Sequence, residues 1–184
     1  MFERIDILKI VRRHLQTLRN IGDDNHVKKI TANDKLLFFV FPVLISLTLT
    51  FFQISLDSQV ANLIAIISIF GGFLFNLLAL IYGFLEKIKN EKKELETDLS
   101  KVKKRFANEI NANISFNILI SLVTTIFLII YNLIPSSNCQ IALIYYVKSL
   151  FLFITYFLLI LFVLTLLMVL NRIYILLQVE DTNN

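Results

Sequence analysis

Four stretches of about twenty apolar residues each determine what this chain can fold into. They occupy 35–56, 60–85, 114–134 and 149–170. Each is long enough to cross the hydrocarbon core of a bilayer as a helix. None shows the alternation of apolar and polar residues that marks the strands of a membrane barrel. We therefore predict an all-α polytopic membrane protein with four transmembrane helices, its main partner being the lipid bilayer.

The amount of apolar side chain excludes an ordinary soluble domain. Hydrophobic residues make up 57% of the 184 positions, and the mean hydropathy is +0.72. A soluble domain of this size has too little interior to bury so much apolar surface. The first 34 residues are charged and contain no short apolar region with a small-residue cleavage site, so we expect no cleavable signal peptide.

Lysine and arginine are distributed very unequally among the segments between the spans. Seventeen of the eighteen lie in 1–35, in 86–113 or just after the last span, and Lys148 is the exception. Because these residues are enriched on the cytoplasmic side of membrane proteins, we predict a bacterial inner-membrane protein with cytoplasmic termini. The segments 1–34, 86–113 and 171–184 are then cytoplasmic.

Two residues predicted to lie on the outer side have more than one interpretation. Lys148 falls at the outer edge of the last span, where its stem can extend to the lipid headgroups. The alternative is a gating or ion-binding lysine. Cys139 is the single cysteine and has no internal partner. It either has no structural role or forms a disulfide bond with another molecule.

The charged segment 86–113 interrupts the apolar pattern. It lacks proline, and apolar residues recur in and just before it mostly three or four positions apart, which predicts helix: Leu85, Ile88, Leu95, Leu99, Val102, Phe106 and Ile110. Since the chain must return to the same membrane face, we predict a coiled-coil-like helical hairpin that extends spans two and three. The turn is expected at 96–100.

The predicted hairpin has two interpretations. It is either a solvated structure that packs only on itself or a docking site for other molecules. For docking, the candidate partner-binding residues lie near the tip: Glu94, Glu96, Asp98, Lys101 and Lys104. The mixed charge is not the footprint of direct nucleic-acid binding. The basic sequence KVKKRF at 101–106 lies close to the membrane, where anionic headgroups are its expected neighbours.

Residues 1–34 contain a second amphipathic segment. Its apolar face is expected to consist of Ile5, Leu8, Val11, Leu15 and Leu18. A basic amphipathic helix of this length either lies on the inner leaflet or packs on the hairpin, and the sequence does not separate these placements.

Polar groups within the spans indicate structural roles. No acidic residue lies in any span, which argues against a proton-coupled carrier. His14 and His26 have no ligands at metal-binding spacing, so we expect no metal, no cofactor and no enzymatic activity. The candidate helix-packing residues are Gly71, Gly72, Asn76 and Asn117. Interhelical bonding by these amides and by span hydroxyls is favoured over a pore lining. Pro42 predicts a kink in span one.

Two segments carry a resemblance to a known group of proteins. FGGFLFNLLALIYGFLEK at 70–87 enters the charged hairpin, and NANISFNILISL at 111–122 leaves it. Together with the four-span topology, they resemble the small four-span membrane proteins of bacterial anti-phage systems, notably the membrane subunit of the Kiwa system. The resemblance implies a homo-oligomeric membrane sensor that works with a soluble DNA-binding subunit, and it implies no catalytic residues. A holin-like or abortive-infection pore and a toxin immunity protein are the alternative functions.

The charge distribution generates a test of topology. In intact spheroplasts, an impermeant maleimide is expected to label Cys139, because this residue is predicted outside. A cysteine introduced at position 98, in a variant lacking Cys139, is expected to react only after the membrane is permeabilised. Labelling at position 98 together with protection of Cys139 would show that the orientation is inverted.

Overall fold

The computed structural model describes residues 6–18, 36–91, 98–135 and 142–181. Helix α1 spans Ile7–Thr17, and a π-helical turn over Leu36–Val40 leads into α2, Phe41–Phe51. Three long helices follow, α3 over Val60–Glu91, α4 over Asp98–Leu133 and α5 over Ala142–Asp181. The described part of the chain contains no strand. The predicted all-helical class is confirmed.

Three helices are long and apolar enough to cross a membrane. The qualifying stretches are Val60–Ile88, Lys103–Leu133 and Leu143–Gln178, of 29, 31 and 36 residues. They contain the predicted spans 60–85 and 149–170, and all but the last residue of 114–134. In hydrocarbon the backbone has no water to bond, and a helix satisfies its amides internally. The chain therefore has the composition and the helix lengths of a membrane protein.

The first predicted span differs from the other three. In place of a helix over 35–56, the structure has five π-helical residues followed by the eleven of α2, ending at Phe51. At 1.5 Å per residue this is roughly 24 Å, short of a hydrocarbon core of about 30 Å. A kink was predicted at Pro42, and near this residue the helix changes from π-helical to α-helical. Proline lacks the N–H that would continue the ladder, and Pro42 stands in the first turn of α2.

The chain divides into two compact units, and the first to be described comprises 31–72 and 119–164. Its core brings together α3, α4 and α5 with the segment before α3: Leu56, Val60, Ile67, Leu128, Tyr131, Leu152 and Tyr156. Leu128 is completely buried. The apolar side chains on the opposite faces of these helices are exposed, as expected where lipid is the solvent.

Two tyrosine hydroxyls satisfy the backbone where the chain between α2 and α3 is not helical. The Tyr156 hydroxyl donates to the carbonyl of Ile54 at 2.9 Å. The Tyr131 hydroxyl accepts from the amide of Leu56 at 3.4 Å and lies 3.3 Å from Ser55 Oγ. An unpaired backbone group away from water is costly. These contacts satisfy polar groups of Ile54, Ser55 and Leu56 where the chain is no longer helical.

Lys148 is bound to protein rather than only to the headgroup region. Its Nζ lies 3.0 Å from Asp57 Oδ1 and 4.9 Å from the centroid of the Tyr131 ring. Desolvation acts to raise the pKa of Asp57, but hydrogen bonds from Ser55 and Lys148 and the charge of the lysine hold that pKa below its usual value. Lys148 thus joins the start of α5 to the link before α3.

The second unit comprises 1–30, 73–118 and 165–184. It contains α1 with the carboxyl-terminal part of α3, the amino-terminal part of α4 and the end of α5. Its apolar core includes Ile88 and Ile110, two members of the predicted stripe. Leu85 and Phe106 from the same stripe are half-buried. The proposed turn falls partly on 92–97, outside the described residues.

Candidate functional site

Helix α1 packs against α4 through a polar contact. The helix begins at an N-cap, where Asp6 Oδ1 accepts a hydrogen bond from the amide of Lys9 at 2.9 Å. The buried face is not centred where the sequence predicted, because Leu8 is 74% exposed while His14 is 2% exposed. Helix α1 therefore contacts α4, and its placement on the inner leaflet stays a prediction.

His14, Thr17 and Asn113 form the centre of this contact, which we call the α1 seat. His14 Nδ1 lies 2.9 Å from Asn113 Oδ1, and the Thr17 hydroxyl lies 2.7 Å from the same oxygen. The Thr17 hydroxyl also lies 2.7 Å from the carbonyl of His14, so its single proton is shared between two acceptors. The His14 ring stacks on Phe116, with centroids 3.8 Å apart and planes 9° from parallel.

Burial determines the charge state of His14. Desolvation lowers its pKa from 6.5 to about 4, although the hydrogen bond to Asn113 acts in the opposite direction. The imidazole is therefore neutral at pH 7, which suits a ring stacked on Phe116. Docking of α1 therefore depends on pH, because the pKa of His14 is lowered only when the helix is docked and is ordinary when it is not.

Arg172 connects the seat to α5. Its guanidinium lies 2.8 Å from Glu109 Oε2, 3.4 Å from the carbonyl of Thr17 and 6.0 Å from the Phe106 ring. The contact with Glu109 Oε2 is an ion pair without hydrogen-bond geometry. Glu109 Oε1 lies 3.3 Å from Arg105 Nε. The carboxylate of Glu109 is thus held between two arginines.

A cleft of about 630 Å³ opens beside the seat, between α1 and α4. Arg13 and Gln16 line it from α1, and Lys104, Arg105 and Asn108 line it from α4. Glu109 lies at its wall. The sequence placed Lys104 and Arg105 near the membrane, but it gave no indication that Arg13 would face them.

The predicted partner-binding residues are only partly described. Glu94 and Glu96 lie outside the described residues. Asp98 is the first residue of α4, and Lys101 lies in its first turn. Lys104 is exposed and lines the cleft with residues of α1. Of this predicted set, Lys104 alone has a described side chain, and its neighbours in the cleft belong to α1 and α4.

The predicted helix-packing residues separate into two groups. Gly71 is half-buried, and a Cβ built there would lie 3.5 Å from Ser121 Oγ, an ordinary van der Waals distance, so Gly71 lies where α3 contacts α4. Asn117 is fully buried, and neither its Nδ2 nor its Oδ1 has a hydrogen-bond partner. Gly72 and Asn76, by contrast, are exposed on α3.

Gly72 and Asn76 are two of several exposed small or amide residues on one face of α3. Small or amide residues at spacings of three or four form one exposed face, which we call the α3 stripe: Ala61, Ala65, Ser68, Gly72, Asn76, Ala79 and Gly83. A Cβ built at Gly72 or Gly83 meets nothing within 4 Å. Large apolar residues such as Ile69 and Phe73 border the stripe.

The span hydroxyls bond mainly within their own helices. Thr124 donates to the carbonyl of Ile120 at 2.7 Å, and Thr155 donates to that of Phe151 at 2.8 Å. Ser46, Thr48 and Thr125 make the same bond to the residue four positions earlier. The sequence had favoured bonds between helices. A bond to the same helix satisfies the hydroxyl and leaves its methyl or methylene group to pack.

The role of His14 was missed by sequence reasoning, which considered it only as a metal ligand. The signal was its position between Val11 and Leu18, on the apolar side of α1. Within the described ranges, no group of three His, Cys, Asp or Glu residues is placed to hold a metal ion. His14 contributes a neutral ring to packing.

The pKa of His14 predicts pH-dependent docking of α1. Above pH 6.5 the ring is neutral whether docked or undocked, and docking is at full strength. As pH falls from 6.5 towards 4, only undocked α1 takes up a proton, so docking weakens by up to about 3 kcal/mol. The measurement is the distance distribution between spin labels attached at positions 9 and 108, recorded by double electron–electron resonance at pH 7 and at pH 4.5.

A non-titrating control isolates the imidazole in that experiment. His14→Phe preserves an aromatic ring for stacking on Phe116 and carries no proton, so its distance distribution is expected to be the same at both pH values. Broadening in the control equal to that in the unsubstituted protein would assign the effect to a group other than His14. An unchanged distribution in the unsubstituted protein would show that His14 does not control docking.

Comparison of the chain with protein-family models, with curated proteins and with solved structures finds no match. The features of the chain that bear on function are three membrane-length helices, a polar seat for α1, a basic cleft and an exposed stripe of small residues.

Proposed function

We propose that this chain is a non-enzymatic, four-span subunit of the bacterial inner membrane. In this proposal it belongs to an anti-phage defence system, forms homo-oligomers and recruits a cytosolic DNA-binding effector through the segment 86–113. The observation that carries the proposal is the concentration of seventeen of eighteen Lys and Arg residues on the predicted cytoplasmic side, eight of them in the segment 86–113.

The lengths of α3 and α4 support a cytoplasmic projection. α3 has 32 residues and α4 has 36, whereas about 20 suffice to cross the hydrocarbon core. The excess lies in the charged sequence between the two apolar runs. Ile88 and Ile110 are buried there, which supports mutual packing of the helices rather than independent solvated arms.

A short first span is compatible with the four-span count. The apolar helix over Leu36–Phe51 is followed by 52–56, FQISL, in which three of the five residues are apolar. Short apolar segments are accommodated by local thinning of the bilayer at a modest energetic cost. With only three spans, the first 35 residues and the segment 86–113 would lie on opposite sides of the membrane, whereas the distribution of lysine and arginine favours the same side for both.

Assignment to a defence system depends on the resemblance of 70–87 and 111–122 to the Kiwa membrane subunit. The structure adds a feature suited to a sensor: α1 is held on α4 by a small polar seat whose strength depends on one histidine. A two-state element of this kind is the physical requirement for a switch. The hydroxyls that bond within their own helices favour a structural role over a pore lining.

The α3 stripe supports self-association. Small residues let helix backbones approach closely in a membrane, where packing rather than the hydrophobic effect holds helices together. Asn76 adds an amide on the same exposed face, within an apolar helix. An amide in contact with lipid is costly, and an amide that bonds another copy is stabilising. The predicted contacts of Gly72 and Asn76 are accordingly proposed to lie between subunits.

A single enlargement tests the oligomer. Gly72→Leu is expected to shift the protein towards the monomer, because the larger side chain separates the stripes while meeting nothing within the subunit. The measurement is the mass of the protein in mild detergent and in native-lipid nanodiscs. Leu122→Phe, which enlarges an exposed residue of α4, is the control and should retain the oligomer. A monomeric unsubstituted protein in both media would refute self-association.

Charge reversal tests partner recruitment. Lysine at Glu94, Glu96 and Asp98 is expected to weaken capture of the cytosolic partner in a pull-down from solubilised membranes. Since exposed charges act mainly through association rate, the loss should be larger at low salt than at high salt. The control has the same change in net charge, with lysine at Glu86, Glu180 and Asp181.

The pull-down also separates the alternative functions. Equal recovery of one partner by the unsubstituted protein and both variants at both salt concentrations would remove 94–98 as the docking site. Recovery of no partner, together with leakage of cells that express the protein alone, would favour a holin-like or abortive-infection pore. Protection from a membrane-active toxin with neither partner nor leakage would favour an immunity protein.

A further inference from the structure

The cleft between α1 and α4 has an excess of positive charge. Arg13, Lys104 and Arg105 line it, against the single carboxylate of Glu109. Arg172 lies 2.8 Å from that carboxylate, and Arg105 lies 3.3 Å from it. The negative charge in the wall is therefore already balanced by two guanidinium groups.

Two of the cations have no counter-ion among the residues that the structure describes. Arg13 and Lys104 are exposed and form no ion pair with any residue in the described ranges. Their convergence requires α1 to be docked, because Arg13 lies on α1 and Lys104 lies on α4. The α1 seat fixes this geometry through His14 and Asn113, which are both buried.

Neutral hydrogen-bond donors accompany the two cations. Gln16 and Asn108 line the same cleft with exposed side-chain amides. The volume of about 630 Å³ falls within the range of small-molecule sites. Cationic side chains combined with amide donors are suited to an oxyanion with several acceptor oxygens, which a phosphate group supplies.

We propose that this cleft binds a phosphate group, held by Arg13 and Lys104 with Gln16 and Asn108 as additional donors. The phosphate belongs either to the headgroup of an anionic lipid or to a soluble phosphate ester. The apolar run of α4 begins at Ile114, less than two turns beyond Asn108, which puts the cleft at headgroup depth. The site does not depend on the effector proposed above and would exist without it.

Occupation of the site couples a ligand to the position of α1. A phosphate that bridges Arg13 and Lys104 binds only the docked arrangement, so it stabilises docking by mass action. Conversely, loss of the seat separates the two cations. Docking of α1 would thus depend both on phosphate bound in the cleft and on the protonation of His14.

Matched charge removals provide the test. Arg13→Gln combined with Lys104→Gln removes the two unpaired cations of the cleft. The control, Arg12→Gln combined with Lys103→Gln, removes one cation from each of the same helices at neighbouring positions that do not line the cleft. Both double variants lower the net charge equally, and neither alters the α1 seat or the Arg105–Glu109–Arg172 contacts.

Two arms distinguish the sources of phosphate. In the first, native mass spectrometry counts the phosphatidylglycerol molecules retained by protein released from nanodiscs of equal phosphatidylcholine and phosphatidylglycerol. In the second, calorimetry follows inorganic pyrophosphate added to protein in nanodiscs of phosphatidylcholine alone. A lipid site predicts at least one retained phosphatidylglycerol that the cleft variant loses and the control keeps. A soluble-ligand site predicts pyrophosphate binding that weakens at least tenfold in the cleft variant only.

Either pattern supports the proposal and identifies the source. The proposal is overturned if the cleft variant and the control behave alike in both arms, because the retention or binding would then reflect net charge. It is also overturned if the unsubstituted protein neither retains phosphatidylglycerol nor binds pyrophosphate. Circular dichroism of the three proteins, expected to be identical, confirms that charge removal leaves the helices intact.

Discussion

The backbone's need for hydrogen bonds in a medium without water is the constraint on which the rest of the structure depends. Helices α3, α4 and α5 satisfy it within themselves, so their outer faces can carry phenylalanine, leucine and isoleucine without cost. Where the chain leaves the helix at 52–56, the hydroxyls of Tyr131 and Tyr156 take over part of the task. Polar side chains in the spans follow the same rule, since most of the hydroxyls bond a carbonyl of their own helix.

Two side-chain amides on α4, those of Asn113 and Asn117, do not satisfy this requirement in full. Both are fully buried on α4, four residues apart, and Asn113 Nδ2 and both polar atoms of Asn117 lack hydrogen-bond partners. A buried amide without a partner costs about 1–3 kcal/mol. Asn113 Oδ1 lies within hydrogen-bond distance of His14 and Thr17 of α1, whereas Asn113 Nδ2 has no hydrogen-bond partner. Docking of α1 therefore relieves a deficiency that α4 would otherwise carry alone.

The sequence was informative where a single run of residues decides the outcome. Apolar runs of membrane length predicted α3, α4 and α5, and Asn117 was expected to be buried. The sequence failed where the outcome depends on distant residues. The early end of α2 depends on tyrosines of α4 and α5, and the partner of Lys148 lies 91 positions earlier at Asp57. Asn76 and Asn117 look alike in sequence, but the first faces outward and the second inward, which helical periodicity alone did not separate.

The α1 seat also has a consequence for biogenesis. His14 leaves the ribosome early, but Asn113 follows 99 residues later, and Arg172 comes 155 residues after Thr17. At about 5–20 residues per second, Asn113 follows His14 after roughly 5 to 20 seconds of synthesis, and Arg172 follows Thr17 after roughly 8 to 30 seconds. During that interval α1 has a basic surface and a partly apolar face without its final neighbour. The contact with Asn113 can form once α4 has been made, but the contact of Thr17 with Arg172 requires α5, so the set of α1 contacts is complete only after the last helix has been synthesised.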